Sequence, residues 1–148
     1  MCIKTSVEVL VLGVLLLVAA VGVQVCYAEA TQDKCVTIVP YFKVKPGQLE
    51  AFERLCKRFV QVSEKEPGTL YYGWSFNGDV AHCREGYTGA EAALEHMKDV
   101  GPLLEEANKI AELTSLEIHG PEAELAKMRG PLADIKPKFF TLKYGFRR

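Results

Sequence analysis

Metal-binding spacings and basic tracts are both missing from this 148-residue chain. Its five cysteines and three histidines form no Cys-x-x-Cys pair and no Cys/His grouping at ligand spacing, so a zinc site is not expected. Its 18 Lys and Arg are well mixed with 19 Asp and Glu, for a net charge of -1. That leaves no basic surface to neutralise phosphates, and a nucleic-acid partner is not expected. The clustered bases at the end, Arg147 and Arg148, are too few for a binding tract and read as a solvated tail. What remains is 49% hydrophobic and 25% charged, the make-up of one globular domain plus an accessory segment.

The accessory segment comes first. Lys4 lies in a short polar start, and Val9 to Val25 is an almost unbroken run of Val, Leu, Ala and Gly. Such a run is at the short edge of the roughly 17–25 residues that span a bilayer. Ala28-x-Ala30 follows, the small-residue pattern of a signal-peptidase site. Residues 1–30 are therefore expected to be a signal peptide cleaved after Ala30, with an uncleaved membrane anchor as the alternative, since Glu8 cancels the charge of Lys4. Cleavage implies a secreted or periplasmic protein with three remaining thiols, Cys35, Cys56 and Cys83. Three cannot all pair, and Cys56 falls on the apolar side of a helix, where a thiol acts as a small hydrophobe.

After the segment, the pattern alternates between strand and helix signals. Val36 to Val44 is β-branched and aromatic, a strand interrupted or left unpaired on one side at Pro40. Leu49, Phe52, Cys56, Phe59 and Val60 recur at helical spacing through about Gln48 to Glu66, and Pro67-Gly68 ends that helix. Leu70 to Phe76 alternates Tyr72, Trp74 and Phe76 on one face with Tyr71, Gly73 and Ser75 on the other. Asn77-Gly78 suits a type I′ turn, so Val80 to Tyr87 is expected to return as the hairpin partner. Thr88-Gly89-Ala90-Glu91 has the capping-box pattern, and opens a helix carrying Ala93, His96, Met97 and Val100 on one side. It breaks at Gly101-Pro102 and resumes to Ala111. A strand from Leu113 to His119, a short helix from Pro121 to Met128 and a last strand from Lys138 to Phe146 complete the chain.

The order β-α-β-β-α-β is the ferredoxin-like α+β plan, an antiparallel sheet with two main helices on one face. It predicts a domain over residues 35–148. The sheet's other face also carries apolar and aromatic residues, which is economically solved by a homodimer packed sheet to sheet.

The entry Pro46-Gly47, the run Glu66-Pro67-Gly68-Thr69-Leu70, the pair Glu85 and Tyr87, and the helix Ala90-Glu91-Ala92-Ala93-Leu94-Glu95-His96 together resemble the antibiotic-biosynthesis-monooxygenase-like (ABM) branch of the dimeric α+β barrel superfamily. The resemblance implies a pocket between helices and sheet, and its members include oxygenases that use neither metal nor flavin. His96 is the first candidate for a catalytic residue, with Tyr72, Trp74, Glu85 and Tyr87 beside it; His82 and Arg84 fall on the opposite strand face. A cofactor-independent monooxygenase needs a base to ionise a phenol or quinol, donors for the oxyanion and a dry enclosure. His96 is expected as the base, Tyr72 or Tyr87 as donor and Trp74 as wall, with no cofactor and no metal. Each residue also has a purely structural reading: a hydrogen-bonded core histidine, a paired carboxylate, an aromatic packing face. Two other functions compete, a non-catalytic dimer that binds a small aromatic or apolar ligand and a haem-binding or haem-degrading protein. The haem-degrading branch uses an asparagine in the first strand, which this chain lacks, and a tryptophan about where Tyr87 stands.

Overall fold

A computed structural model of the chain describes residues 33–147. The export segment expected at residues 1–30 lies outside them. Among the described residues, no helix is long and apolar enough to cross a membrane.

The elements run β1 (Val36–Val44), α1 (Leu49–Ser63), β2 (Thr69–Asn77), β3 (Val80–Tyr87), α2 (Ala90–Asp99), α3 (Gly101–Ile110), β4 (Ala111–Gly120), α4 (Glu122–Arg129) and β5 (Lys138–Thr141). The sheet order is β2-β3-β1-β4-β5. Its first four strands are antiparallel, as the ferredoxin-like plan predicts, and β5 adds a parallel edge beside β4. The sheet is therefore mixed. β5 is also shorter than the expected Lys138 to Phe146, ending at Thr141.

Alternation along each strand sends one set of side chains to the helices. Val36, Ile38, Phe42 and Val44 of β1 are buried against them, and so are Ala81, Cys83, Glu85 and Tyr87 of β3. The four helices pack on this face. α1 contributes Phe52, Leu55, Cys56 and Phe59 to a cluster with Phe42, Val44 and Val100, each large side chain worth about 1.5–3 kcal/mol of burial. α2 contributes Ala90 and Ala93 to a second cluster with Ile38, Tyr87, Ile118 and Leu125. Between α1 and α3, Arg58 holds Glu106 through two hydrogen bonds.

Three local expectations need correction, while the strand left unpaired on one side at Pro40 is found as expected. β1 is a central strand, continuous through Pro40. Its ladder with β4 includes Pro40, whereas its ladder with β3 jumps from Ile38↔Glu85 to Tyr41↔His82. The missing N–H thus falls on the β3 side, and a bulge follows on the β4 side between Tyr41 and Phe42. The hairpin pairs Asn77 with Val80, so its two-residue loop is Gly78-Asp79. Only Gly78 has positive φ, at 59°, the pattern of a type II′ turn rather than I′.

The capping box does not form: α2 begins after Gly89 with no local side-chain cap. A distant group takes its place, Glu124 of α4, whose Oε2 accepts from the Ala90 N–H at 2.9 Å. Arg147, finally, is more than a solvated tail. Its guanidinium donates to Asp33 at 2.8 and 3.0 Å and holds that carboxyl below its ordinary range.

Candidate active site

Where the two buried clusters meet, the helices stand off the sheet around a cavity of about 220 Å³. Its walls are apolar: Ile38, Pro40 and Phe42 from β1, Met97 and Val100 at the end of α2, Leu104 from α3. The polar groups reaching it are few, namely Glu85, His96, Tyr72, Trp74 and Asn108. An apolar enclosure with a small number of convergent polar groups is the usual form of a small-molecule site.

Glu85 is the most unusual of them. Its residue is 4% exposed, no Lys or Arg pairs with it, and burial pushes its carboxyl up to about 7, assisted by the charge of Glu66 and opposed by hydrogen bonds from Tyr87 and Cys83. The Tyr87 hydroxyl donates to Glu85 Oε2 at 2.6 Å. At neutral pH the carboxyl is therefore divided between acid and base forms, the condition under which one group serves in either role.

His96 stands between two carboxyl groups. Its Nδ1 lies 3.0 and 2.9 Å from the two oxygens of Glu66, and its Nε2 lies 3.4 Å from Glu85 Oε2. A nitrogen facing both carboxyl oxygens is the favoured seat of the ring proton at rest, where its N–H can be shared between them. Burial lowers the imidazole's pKa, and the hydrogen bond and charge of Glu66 only partly offset this, so the ring is neutral near pH 7. Thr69 steadies Glu66, its hydroxyl donating to Oε2 at 2.7 Å. Above and below the imidazole pack Tyr87, with ring centroids 5.0 Å apart, and Tyr72, at 5.4 Å.

Gly68 explains how Glu66 comes to face His96. A Cβ built on it would sit 2.4 Å from the Ala92 Cβ, so only glycine lets the loop lie this close to α2. The Thr88 N–H donates to the Gly68 carbonyl at 2.9 Å and fixes that approach.

The residues singled out from the sequence separate into three groups. Tyr72, Trp74, Glu85 and His96 line the cavity. Tyr87 lies behind the wall, fully buried, and reaches the site through Glu85. His82 is on the opposite sheet face, its ring 4.6 Å from that of Tyr41. Tyr72 keeps its proton, burial and the charge of Glu85 raising its pKa far above the ordinary phenol. The Trp74 Nε1 is buried with no well-formed hydrogen bond among the described residues, the Tyr72 hydroxyl being its polar neighbour. Sequence reasoning missed Glu66 and Asn108 as site residues. Glu66 stood in the motif before the second strand, where its register gave no sign that it turns inward. Among the described residues no group of three or more His, Cys, Asp or Glu could hold a metal ion.

Known proteins share this fold. Residues 35–86 match the family described as antibiotic biosynthesis monooxygenase. The crystal structure of MupZ from Pseudomonas fluorescens superposes with a TM-score of 0.75 at 45% identity, over 78% of this chain and 95% of that one. Rv0793 from Mycobacterium tuberculosis superposes at 0.54 with 18% identity, over 59% and 94%. A Methanosarcina mazei protein does so at 0.53 with 19% identity, over 58% and 91%; these last two likenesses speak for the fold alone. No curated protein matches the sequence. With residues 35–86 matching the family and a relative at 45% identity that aligns over 95% of its own length, the chain belongs to the antibiotic biosynthesis monooxygenase family.

Proposed function

We propose that the cavity is the active site of a cofactor-independent monooxygenase acting on a small phenolic or quinol-type molecule. The observation that carries this reading is a carboxyl buried without a cation beside it among the described residues, Glu85, set in an apolar wall with Tyr87 and His96 both at its Oε2, where burial pushes it up to about 7. The base role passes from His96 to Glu85, because both imidazole nitrogens are already turned toward carboxyl groups.

Glu85, as carboxylate, takes the phenolic proton. The resulting phenolate is electron-rich enough to give one electron to dioxygen, and recombination of the two radicals forms a carbon–oxygen bond. The peroxide so formed loses the ring hydrogen as a proton and breaks its O–O bond. One oxygen stays as a carbonyl and the other leaves as water, with a proton returned from Glu85. Phenol and dioxygen thus give quinone and water, with no external reductant. The Trp74 N–H would donate to the substrate oxygen where negative charge builds, an interaction that apolar walls strengthen by excluding water.

The haem reading fits the site poorly, since His96 has no nitrogen directed into the cavity for an iron ion to use. A second copy of the chain belongs to the proposal as well. The face of the sheet away from the helices exposes Leu70, Tyr71, Phe140 and Leu142, and a homodimer packed there would cover them.

The test is oxygen uptake with one- and two-ring hydroquinones. Wild type is expected to consume one dioxygen per hydroxyquinone formed, releasing water and no hydrogen peroxide, and Glu85→Gln to be slower by about 10²–10⁴-fold, the usual worth of a general base. Rates equal to those of Glu85→Gln and of buffer would end the oxygenase reading; saturable binding without uptake would then assign the cavity to ligand binding alone.

A further inference from the structure

The same imidazole that faces the cavity also reaches the opposite side of its helix. His96 lines a second, open groove, formed by Lys65, Glu66, Pro67 and Gly68 on one side and Ala92, Glu95 and Asp99 on the other. Glu66 borders that groove with 11% of its side chain exposed, whereas the side chains of His96 and Glu85 are 3% and 5% exposed. The three groups form a continuous line from the groove to the cavity, in the order Glu66, His96, Glu85, with contacts of 2.9 and 3.4 Å and only Glu66 appreciably open to solvent.

We propose that Glu66, His96 and Glu85 form a proton relay that exchanges protons between Glu85 and bulk water through the outer groove, so that the cavity itself need never admit water. This rests on Glu85 being the acid–base group of the cavity, and holds whichever reaction uses it.

The transfers balance. In the resting state His96 carries its proton on Nδ1, toward Glu66, and its bare Nε2 faces Glu85. A proton acquired by Glu85 passes to Nε2, the Nδ1 proton passes to Glu66, and Glu66 releases it to the groove. The ring is left protonated on Nε2. From that tautomer the reverse passage is ready: a proton arriving on Glu66 passes to Nδ1, and the Nε2 proton goes to Glu85. Each outward passage thus prepares an inward one, which suits a reaction that removes a proton from its substrate and later returns one.

The surroundings favour transit over trapping. The charged and titratable groups facing the imidazole are Glu66 from the loop before β2, Tyr72 from β2, Glu85 and Tyr87 from β3, and Asp99 from its own helix, with Lys65 and Glu95 at the rim of the groove. Desolvation disfavours a second proton on the buried imidazole, while the hydrogen bond and charge of Glu66 favour it, so the ring is opposed in both directions rather than fixed in one form.

The experiment reads proton exchange rather than catalysis, so failure of the oxygenase assay leaves it unaffected. The short bond from Tyr87 to Glu85 should give a downfield proton resonance whose lifetime against water reports how protons reach Glu85. Glu66→Gln keeps an acceptor for Nδ1–H but cannot carry a proton. It is expected to lengthen the lifetime at least tenfold with little change in chemical shift, and formate, small enough for the groove, is expected to shorten it again. An unchanged lifetime in Glu66→Gln would overturn the relay. In wild type, filling the cavity with xenon under pressure should leave the exchange rate as it was; slowing by xenon would mean that protons enter through the cavity, and would overturn it equally.

Discussion

Tyr87 and Glu85 stand two residues apart on the same face of β3 and are joined by a hydrogen bond of 2.6 Å between two buried side chains. Strand alternation makes them neighbours, and the bond is the main polar support of a carboxyl that burial would otherwise push still higher. The stability of the fold should therefore depend on pH through Glu85.

Folded Glu85 titrates near 7, above its ordinary 4.5, so between these values the native state holds more protons than the unfolded chain. Its contribution is complete below about 4.5 and is lost as pH rises through about 7, on the order of 3 kcal/mol at about 1.4 kcal/mol per pKa unit. His96 works in the opposite sense, its lowered pKa costing stability as pH falls below 6.5. Urea unfolding of Glu85→Gln should show higher stability than wild type at pH 8 and a flatter profile from pH 6 to 8. A wild-type excess at pH 8 would contradict the assigned burial cost.

The cap of α2 offers a contrast between neighbours in sequence and neighbours in space. Glu124→Ala should cost about 1–2 kcal/mol, by loss of the bond to the Ala90 N–H and of the contact with Lys127. Thr88→Ala should cost less than about 0.5 kcal/mol, since the threonine makes no cap. Thermal or urea unfolding of both variants decides the matter; equal costs would restore the capping box.

Gly68→Ala should destabilise by about 1–3 kcal/mol through its clash with Ala92. It should also move the His96 ring resonances, because Glu66 rides on the displaced loop. Adding Ala92→Gly should recover most of both effects. Resonances unmoved in the single variant would separate the loop from the position of Glu66.

On the open face of the sheet, Phe140 is 45% exposed and its ring stacks on His119 at 4.7 Å. Phe140→Lys should convert a dimer of twice the chain mass into monomer in light scattering, with the helical circular dichroism unchanged. A wild-type monomer at micromolar concentration would remove the homodimer from the proposal.

Much of the site could be read in advance because it obeys period two. Tyr72 and Trp74, and Glu85 and Tyr87, share strand faces, and alternation alone separated them from His82 and Arg84. His96 was legible from helical spacing. Glu66 was not, since it lies in a loop, and its direction is set by the absence of a Cβ at Gly68 against a residue in another helix. The same reason hid Glu124, whose partner Ala90 is 34 positions away. Local patterns describe which face a residue takes; they carry nothing about contacts made across a fold between segments with no shared period. Pro40 shows the reverse case. Its missing donor was apparent, but the central place of its strand depended on pairing with β4, far along the chain.

Pro40 also lines the cavity, directly over the stretch where β1 and β3 exchange no ladder contacts between Ile38 and Tyr41. The sheet has a seam there, stitched at both ends and open in the middle. A guest slightly too large for the enclosure meets fewer ladder contacts along this seam than elsewhere in the sheet, whereas growth toward α1 would have to displace the close-packed rings of Phe52 and Phe59. Tolerance for substituents on the bound molecule should therefore be directional, generous toward the middle of β1 and strict toward the first helix.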